Sequence, residues 1–236
     1  MSPSSNYSLE DFKEGQLLLI DKPLGWTSFQ VVNKVRWLIR SQYKIKKIKV
    51  GHAGTLDPLA TGLLIICMGK MTKQIDTYQG LPKTYTGTFE IGTTTPSYDK
   101  ETSVDQHYPT AHITAELLEQ TRQSFLGEQA QTPPIFSAIK KDGERLYNIA
   151  RKGQMTDIPS RQINIHTFEL TKLDLPLIDF KVRCSKGTFI RSLAHDFGQR
   201  LQSGAHLAAL RRTAIGDYSV DDAISVEQFE KMVRGA

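Results

Sequence analysis

The stretch GHAGTLDPLATG, residues 51–62, decides the fold because it runs directly into the continuous apolar segment GLLIICM, residues 62–68. An unbroken apolar run that follows a glycine-rich turn predicts a buried strand. The loop before it holds a single carboxylate, Asp57, fixed before a proline. An Asp-Pro step restricts the aspartate backbone to extended geometry and can aim its side chain rigidly. Taken alone, this pattern is more often that of a turn-forming aspartate than of a nucleophile.

Outward from this strand, strand-like and helix-like hydrophobic patterns alternate without a regular βαβ order. Thr27 with Gln30 resembles a capping box that starts a helix through about Arg40, and Ser225 with Gln228 suggests a final capped helix. We expect further strands at residues 17–20, 85–91, 163–173 and 178–184, and further helices at residues 114–125 and 190–201. This order favours an α+β fold around a mixed sheet over a doubly wound fold.

Two segments lack regular periodicity. Residues 93–111 are rich in Thr, Ser, Pro and Asp and predict a long loop. Residues 131–153 contain Pro133-Pro134 and several basic residues and predict a mobile surface arm. No linker divides the 236 residues cleanly, so we expect a single domain over residues 1–236.

Charge is unevenly distributed along the chain, whose net charge is +5. No acidic residue lies between Asp21 and Asp57, a window with eight basic residues, and residues 181–212 hold seven basic residues against Asp196 alone. Two basic patches on an otherwise acidic body predict a polyanionic partner, although two solvated helix faces would give the same counts. A lone carboxylate at the edge of such a patch stays ionised, as a covalent nucleophile must.

Several classes of protein are excluded by what the sequence lacks. Its apolar runs are far too short to cross a bilayer, and its N-terminus lacks the basic and apolar regions of a secretory signal. Cys67 and Cys184 form no disulfide framework, so we expect a reducing cytoplasm. The six histidines show no metal-binding spacing, and no phosphate-binding glycine motif is present. We therefore expect neither a metal nor a nucleotide cofactor.

Five motifs carry a resemblance to a known family: DKPLGWTS, GHAGTLDPLATGLL, KTYTGTFEIG, PPIFSAIKKDGERLYNIARKG and CSKGTFIRSLAHDFG. Together, and in this order, they resemble the TruB family of tRNA pseudouridine synthases from about Leu18 to Tyr218. The resemblance implies the pseudouridine-synthase fold, a mixed and largely antiparallel sheet with flanking helices and a central active-site cleft. It also implies a bacterial enzyme that lacks the small C-terminal PUA domain of many family members.

The activity that this resemblance implies is the conversion of one uridine in the T loop of tRNA, position 55, into pseudouridine. Such enzymes break the C1′–N1 glycosidic bond, rotate the base and rejoin it through C5, without a metal, nucleotide or redox cofactor. The implied partner is the T arm of tRNA. We expect a monomer in the cytoplasm, with no membrane or metal partner.

Three catalytic positions follow from the same resemblance. Asp57 matches the catalytic aspartate, which attacks C6 of the base or C1′ of the ribose or assists formation of a glycal; the sequence leaves these routes open. Tyr85 matches a tyrosine that stacks on the target base and helps to move the C5 proton. Arg191 matches the arginine partner of the aspartate. From its pattern alone, each has a structural alternative: a turn, a half-buried strand residue and a surface arginine.

Further positions match substrate-contacting or bracing residues of the family. His52 is expected to hold a flipped-out nucleotide, and Leu210 to pack near the target base. Phe189 stands where the family often has tyrosine, so the ring is retained and the hydroxyl is lost. Lys22, with Pro23, matches a turn that braces the active-site loop, and we include Lys22 among the substrate-binding candidates.

The thumb-like arm, about residues 131–160, is expected to close on the T loop. Its candidate phosphate contacts are Arg145, Arg151 and Lys152. Phosphate contacts would dominate affinity, so we expect binding to weaken as salt rises. Selectivity would come from the shape of the T loop and from its splayed, stacked bases.

Three alternatives remain open on the sequence. The chain could be a tRNA-binding folding chaperone with vestigial catalytic residues, or a pseudouridine synthase that acts on another RNA. A basic scaffold explains the charge windows but not the five ordered motifs.

Overall fold

The computed structural model describes residues 7–137, 140–141, 143–147 and 156–235, with the backbone alone at residues 140, 141, 144 and 145. The strands are β1 (Gln16–Lys22), β2 (Val50–His52), β3 (Ala60–Met68), β4 (Lys83–Ile91), β5 (Thr93–Thr94), β6 (Gln106–His107), β7 (Gly127–Gln131), β8 (Lys140–Lys141), β9 (Glu144–Arg145), β10 (Arg161–Asp174), β11 (Leu177–Cys184), β12 (Ala205–Ile215) and β13 (Tyr218–Ser219). The helices are α1 (Leu9–Glu14), α2 (Ser28–Gln42), α3 (Ile75–Gly80), α4 (Ala115–Gln123), α5 (Ile190–Arg200) and α6 (Val226–Arg234), with short 3-10 helices at Gly69–Gln74 and Val220–Asp222. Within these described ranges, no helix has both the length and the apolar character that crossing a membrane requires.

The chain divides into two compact units. The first unit comprises Met1–Tyr85 and Arg211–Ala236, and the second unit comprises Thr86–Leu210. The boundaries fall inside β4 and β12, so each of these strands contributes residues to both units. A single domain over residues 1–236 stays a prediction.

Strand β3 is central to the first unit. It pairs antiparallel with β1, from Gln16↔Met68 to Lys22↔Gly62, and also with β2. Its even-numbered side chains from Leu64 to Met68 enter a core cluster with α1, α2 and α6, and its odd-numbered side chains from Leu63 to Cys67 enter a second cluster. Successive side chains of a strand point to opposite faces, so burial on both faces explains the unbroken apolar run. The predicted strand at residues 62–68 is confirmed and begins at Ala60.

Helix α2 starts at the capping box expected for it. The Thr27 hydroxyl accepts a hydrogen bond from the Gln30 amide, and the Gln30 side chain accepts one from the Thr27 amide. The same arrangement joins Ser225 and Gln228 at the start of α6, as predicted. The side chains expected on the inner face of α2 are buried: Val31, Val32, Val35, Leu38 and Ile39.

The second unit is built on the antiparallel pair β10–β11, with β7 on the other edge of β10. The alternation predicted for β11 is confirmed, because Ile178, Phe180, Val182 and Cys184 are buried while Lys181 is exposed. Aromatic rings fill its core, including Phe89 and Phe180, whose ring centroids lie 4.1 Å apart. These pairings confirm the α+β class with a largely antiparallel sheet.

The expectations for the irregular segments are corrected in part. Residues 93–111 are not simply a loop, because β5 and β6 pair there through Thr93↔His107 and Thr94↔Gln106. The helix expected over residues 114–125 is shorter, Ala115–Gln123. In the arm, β8 pairs with β9 through Lys140↔Arg145. Arg151 and Lys152 lie outside the described residues, and the mobility of the arm stays a prediction.

Candidate active site

The Asp57 loop, residues 53–59, joins β2 to β3 in the first unit, and its Asp57 side chain is half-buried. The Ala60 amide donates to the Asp57 carbonyl at 3.1 Å, which closes a turn. One residue before Asp57, the Leu56 amide donates to the Ser28 hydroxyl at 2.9 Å, and that hydroxyl donates to the Leu56 carbonyl at 3.0 Å. The first residue of α2 therefore binds the backbone of the loop on both sides of the Leu56 Cα atom.

Lys22, the last residue of β1, is buried and binds the same loop through hydrogen bonds to backbone carbonyls. Its side chain is fully buried, and its Nζ donates to the carbonyls of Pro23 at 2.9 Å, Trp26 at 2.6 Å and Pro58 at 3.5 Å. These contacts fit the bracing role expected for Lys22. Its inclusion among the substrate-binding candidates stays a prediction.

The electrostatic environment of Lys22 explains its low basicity. Burial lowers the pKa of Lys22 to about 8, and the repulsion of Arg212 adds to this effect. The attraction of Asp57 opposes both and raises the pKa. The carboxylate of Asp57 thus stabilises the protonated form of Lys22 within the first unit.

Arg212 holds the other end of the loop. Its guanidinium is buried and donates to the carbonyls of Leu63 at 2.8 Å, Thr55 at 3.3 Å and Gly54 at 3.2 Å. The backbone of Arg212 also packs on Gly62, where a Cβ atom would lie 2.3 Å from the Arg212 carbonyl oxygen. Gly62 has φ +106°, so a larger residue is excluded there both by the contact and by the backbone conformation.

His52 and Tyr85 also belong to the first unit. His52 ends β2, and burial lowers its pKa below the usual range, while the Gly54 backbone raises it and Arg212 lowers it further. Its imidazole is therefore neutral at pH 7 and suits contact with a nucleobase better than pairing with a phosphate. Tyr85 is a buried residue of β4. Its expected contact with the target base stays a proposal.

Arg191 lies in the second unit, in the first turn of α5, and it is buried rather than on the surface. Its Nη1 donates to the carbonyls of Phe136 at 2.9 Å and Ser97 at 3.3 Å, and its Nε lies 3.6 Å from an Asp99 carboxylate oxygen. The other oxygen of Asp99 accepts from the Ser97 hydroxyl at 2.6 Å and from the Glu101 amide at 3.0 Å. These bonds fix the orientation of the carboxylate that faces the guanidinium.

The loop that carries Asp99 is clamped to α5 one turn further along. The Tyr98 ring stacks on the His195 ring, with centroids 4.0 Å apart and planes 13° apart. Tyr98 has φ 63°, an uncommon conformation for a bulky residue, and such a conformation persists only where its surroundings impose it. Two successive turns of α5, at Arg191 and His195, thus hold this loop.

Phe189 is the N-cap residue of α5, and its side chain makes no capping hydrogen bond. Its amide donates to the Gln131 side chain at 2.8 Å, and the Gln131 amide group donates back to its carbonyl at 3.0 Å. The guanidinium of Arg161 lies 5.1 Å from the centroid of the Phe189 ring, within the range of a cation–π contact. The ring is therefore placed by its backbone and by Arg161.

The remaining candidates are placed unevenly. Leu210 is a half-buried residue of β12 in the second unit. Arg145 is described by its backbone alone, in β9, and Arg151 falls outside the described residues. The structure gathers Asp57, Lys22, His52 and Tyr85 in the first unit and Arg191, Phe189 and Leu210 in the second.

Burial changes the interpretation of the two basic windows. Between Asp21 and Asp57, Lys34 pairs with Glu230 at 2.7 Å, while the exposed cations are Arg40, Lys44, Lys46, Lys47 and Lys49. The prediction of a second basic patch from residues 181–212 is wrong in part. Arg191 and Arg212 are buried, and Arg211 pairs with Asp21 at 2.7 Å.

Three residues around the candidate site were not found by sequence reasoning. Asp99 and Ser97 lie in the segment that the sequence predicts as a long loop, where nothing distinguishes Asp99 from the other acidic and polar residues. Arg212 was counted as surface charge, although its place in the HLAALRR segment, opposite the loop glycines, makes it a structural donor. The roles of these residues depend on contacts with residues far away in the sequence, which local patterns do not show.

Two family models cover most of the chain. The model described as TruB family pseudouridylate synthase (N terminal domain) matches residues 40–190, and that of the tRNA pseudouridylate synthase B C-terminal domain matches residues 191–235. The tRNA pseudouridine synthase B of Flavobacterium johnsoniae is 60% identical over 226 residues, which cover 95% of this chain and 99% of that protein. The tRNA pseudouridine synthase B of Phocaeicola vulgatus is 53% identical over 219 residues, covering 93% of each chain.

Two solved structures share the fold. One, a crystal structure of a Cbf5-Nop10-Gar1 complex, matches with a TM-score of 0.68 at 24% identity over 97% of this chain and 61% of that chain. The other, an H/ACA RNP bound to a substrate RNA containing 2'-deoxyuridine, matches with a TM-score of 0.66 at 23% identity over 100% of this chain and 64% of that chain.

The fold and the family models define an isomerase of the pseudouridine synthase class, which confirms the expectation of an enzyme. Within that class, the chain belongs to the TruB family.

Proposed function

We propose that this chain isomerises a uridine in the T loop of tRNA, at position 55, to pseudouridine, with Asp57 as the nucleophile. Relatives that match nearly the whole chain are named tRNA pseudouridine synthase B, which supports tRNA as the substrate. The observation that carries the proposal is the anchoring of the Asp57 loop by Lys22, Ser28 and Arg212. A nucleophile aimed by three independent anchors loses little entropy when it meets the reacting atom.

The target uridine must leave its stack before the reaction, because a half-buried carboxylate cannot reach C1′ or C6 of a stacked base. His52, kept neutral by burial, is proposed to hold the flipped-out nucleotide. Tyr85 is proposed to stack on the target base, and Leu210 and Phe189 to line its surroundings. Arg145 and Arg151 are proposed to contact phosphates from the arm.

The reaction itself conserves every atom. Asp57 adds to C6 of the base or to C1′ of the ribose, or assists loss of the base through a glycal, and the C1′–N1 bond breaks. The base rotates and C1′ bonds to C5. The carboxylate of Asp57 leaves C1′ as that bond forms, or leaves C6 by elimination, so the side chain is regenerated. Loss of the C5 proton restores the conjugated ring while N1 gains a proton. Tyr85 is proposed to assist this proton transfer, and Arg191 to act as the cationic partner of Asp57.

The test compares Asp57→Asn with the matched control Asp76→Asn, which alters an exposed carboxylate of the same unit. The substrate is a T-arm minihelix labelled with tritium at C5 of uridine, so that pseudouridine formation releases tritium. We expect Asp57→Asn to bind the minihelix but release no tritium, and Asp76→Asn to match the parent chain. Comparable tritium release by Asp57→Asn would exclude Asp57 as the nucleophile.

The identity of the substrate is tested separately by mapping pseudouridines in a strain that lacks the protein. Loss of pseudouridine at position 55 of tRNA alone supports the proposal. Loss at rRNA or mRNA sites instead would establish another RNA as the target. Unchanged pseudouridine with defective tRNA folding would establish the chaperone alternative.

A further inference from the structure

Three large apolar side chains stand exposed around the Asp57 loop. The exposed fractions are 63% for Leu24, 62% for Phe29 and 40% for Leu59. We propose that these residues form a platform on which an unpaired nucleobase of the RNA substrate, next to the target uridine, stacks. This apolar platform rests on the proposed function, because it assumes an RNA substrate at Asp57.

The platform is fastened directly to the loop. Leu59 follows Pro58, whose carbonyl accepts from the Gly25 amide at 2.8 Å, and Leu24 precedes that glycine. Phe29 follows Ser28, whose hydroxyl exchanges hydrogen bonds with Leu56. Each platform residue is thus a chain neighbour of a residue bonded to, or part of, the Asp57 loop.

The core contacts and the helix cap in this part of the chain are made by residues other than Leu24 and Phe29. Trp26 packs partly buried against the core cluster of the first unit, and Thr27 with Gln30 completes the cap of α2. The inner face of α2 is formed by residues such as Val31 and Val35. Phe29 lies on the outer face of the same helix. Exposed large apolar side chains that gather beside one loop are typical of a binding site.

The charge along this part of the chain favours RNA as the occupant. Leu24 and Phe29 lie in the window without acidic residues between Asp21 and Asp57. Along α2, the exposed Arg40 follows Phe29 by eleven positions, about 16 Å at 1.5 Å per residue, and exposed lysines follow it. An apolar stacking surface followed by cations is the arrangement that binds unpaired nucleotides, with bases on the rings and phosphates on the cations. RNA loops supply such splayed bases.

The test measures the dissociation constant of the T-arm minihelix for Phe29→Ser and Leu24→Ser. We expect Phe29→Ser to weaken binding about 5- to 150-fold, the range of one base–aromatic stack. Phe29→Trp keeps a ring and should retain binding. The control is Leu177→Ser, which makes the same change at a leucine of the second unit that is 44% exposed, and it should leave binding unchanged.

Two readouts separate stacking from loss of charge or of fold. Phe29→Ser removes no charge, so the slope of log K against log salt should equal that of the parent chain. A 2-aminopurine placed next to the target uridine should lose fluorescence on binding to the parent chain and keep it with Phe29→Ser. Phe29→Ser should have the same melting temperature as the parent chain, because Phe29 is exposed.

The outcomes distinguish the platform from the proposed function. A parent chain that neither binds the minihelix nor isomerises it overturns the proposed function. A parent chain that does both, with Phe29→Ser and Leu24→Ser binding equally well, overturns the platform alone. A parent dimer that Phe29→Ser converts to a monomer would also overturn it, because the occupant would then be a second copy of the chain.

Discussion

The Lys22 ammonium donates a 2.6 Å hydrogen bond to the Trp26 carbonyl from a fully buried position. A second bond from the same atom reaches Pro58, the residue after Asp57. A charged group with no exposure costs free energy unless its protons are bonded, and here backbone carbonyls accept them. One buried cation thus joins the end of β1 to the loop that carries the proposed nucleophile.

Lys22 gives the stability of the protein a defined pH dependence. Burial lowers its pKa to about 8 in the folded chain, from 10.5 in the unfolded chain. Between these pH values the unfolded chain binds more protons than the folded chain, so stability rises with pH. This contribution is fully present above pH 10.5 and is lost as pH falls through 8.

The measurement is the free energy of urea unfolding from pH 7 to pH 10.5 for the parent chain and for Lys22→Met. We expect the parent value, relative to that of the variant, to rise across this window. Lys70→Met, at an exposed lysine, should keep the parent slope. Parallel pH profiles for the parent chain and Lys22→Met would show that the buried ammonium titrates normally.

Arg212 and its neighbour Arg211 should differ sharply when each is replaced by methionine. Arg212→Met removes the side-chain donor to the carbonyls of Leu63, Thr55 and Gly54, and the loss at the buried residue Leu63 alone should cost about 1–3 kcal/mol. Arg211 is partly exposed and pairs with Asp21, so its loss should cost about 1 kcal/mol or less. Urea unfolding of both variants checks this difference, and equal losses would contradict it.

Gly62 and Gly25 form a matched pair, because both have φ in the left-handed region. A Cβ at Gly62 would meet the Arg212 carbonyl at 2.3 Å, whereas one at Gly25 would meet nothing within 4 Å. Gly25→Ala should therefore cost about 1–2 kcal/mol for the backbone conformation alone. Gly62→Ala should cost clearly more, with a lower melting temperature in calorimetry. Similar melting temperatures for the two variants would mean that β3 and β12 can move apart at no cost.

Asp99→Asn should impair both stability and catalysis. It removes the Asp99 carboxylate that faces the buried Arg191 guanidinium, and breaking a buried ion pair costs about 3–5 kcal/mol. We expect a lower melting temperature and a reduced turnover number in the tritium-release assay. Asp174→Asn, from an exposed pair with Lys172, serves as the control and should change neither. Full activity of Asp99→Asn would show that Arg191 needs no carboxylate partner in its own unit.

The elements that the sequence predicted well are those whose signal is local. The capping boxes at Thr27 and Ser225 depend on residues three positions apart, and β11 shows its alternation within eight residues. Charge counting failed at Arg212 because burial is a long-range property. The carbonyls of Ser97 and Phe136 that accept from Arg191 are separated from it by 94 and 55 positions, so no local pattern could indicate them. Motif resemblance located Asp57 and Arg191, and it gave no information on what holds them.

The burial of β3 on both faces has a consequence for folding accuracy. In a strand with one wet face, a slip by one residue exposes apolar side chains, and this penalty fixes the pairing. In β3 both faces are apolar, so a slipped alignment would keep leucine, isoleucine and cysteine covered, and polarity alone would not reject it. Gly62 supplies the missing discrimination, because shifting the chain by one position would bring Thr61 or Leu63 against the Arg212 backbone. The missing Cβ atom of Gly62 thus fixes the register of the strand that follows the proposed nucleophile.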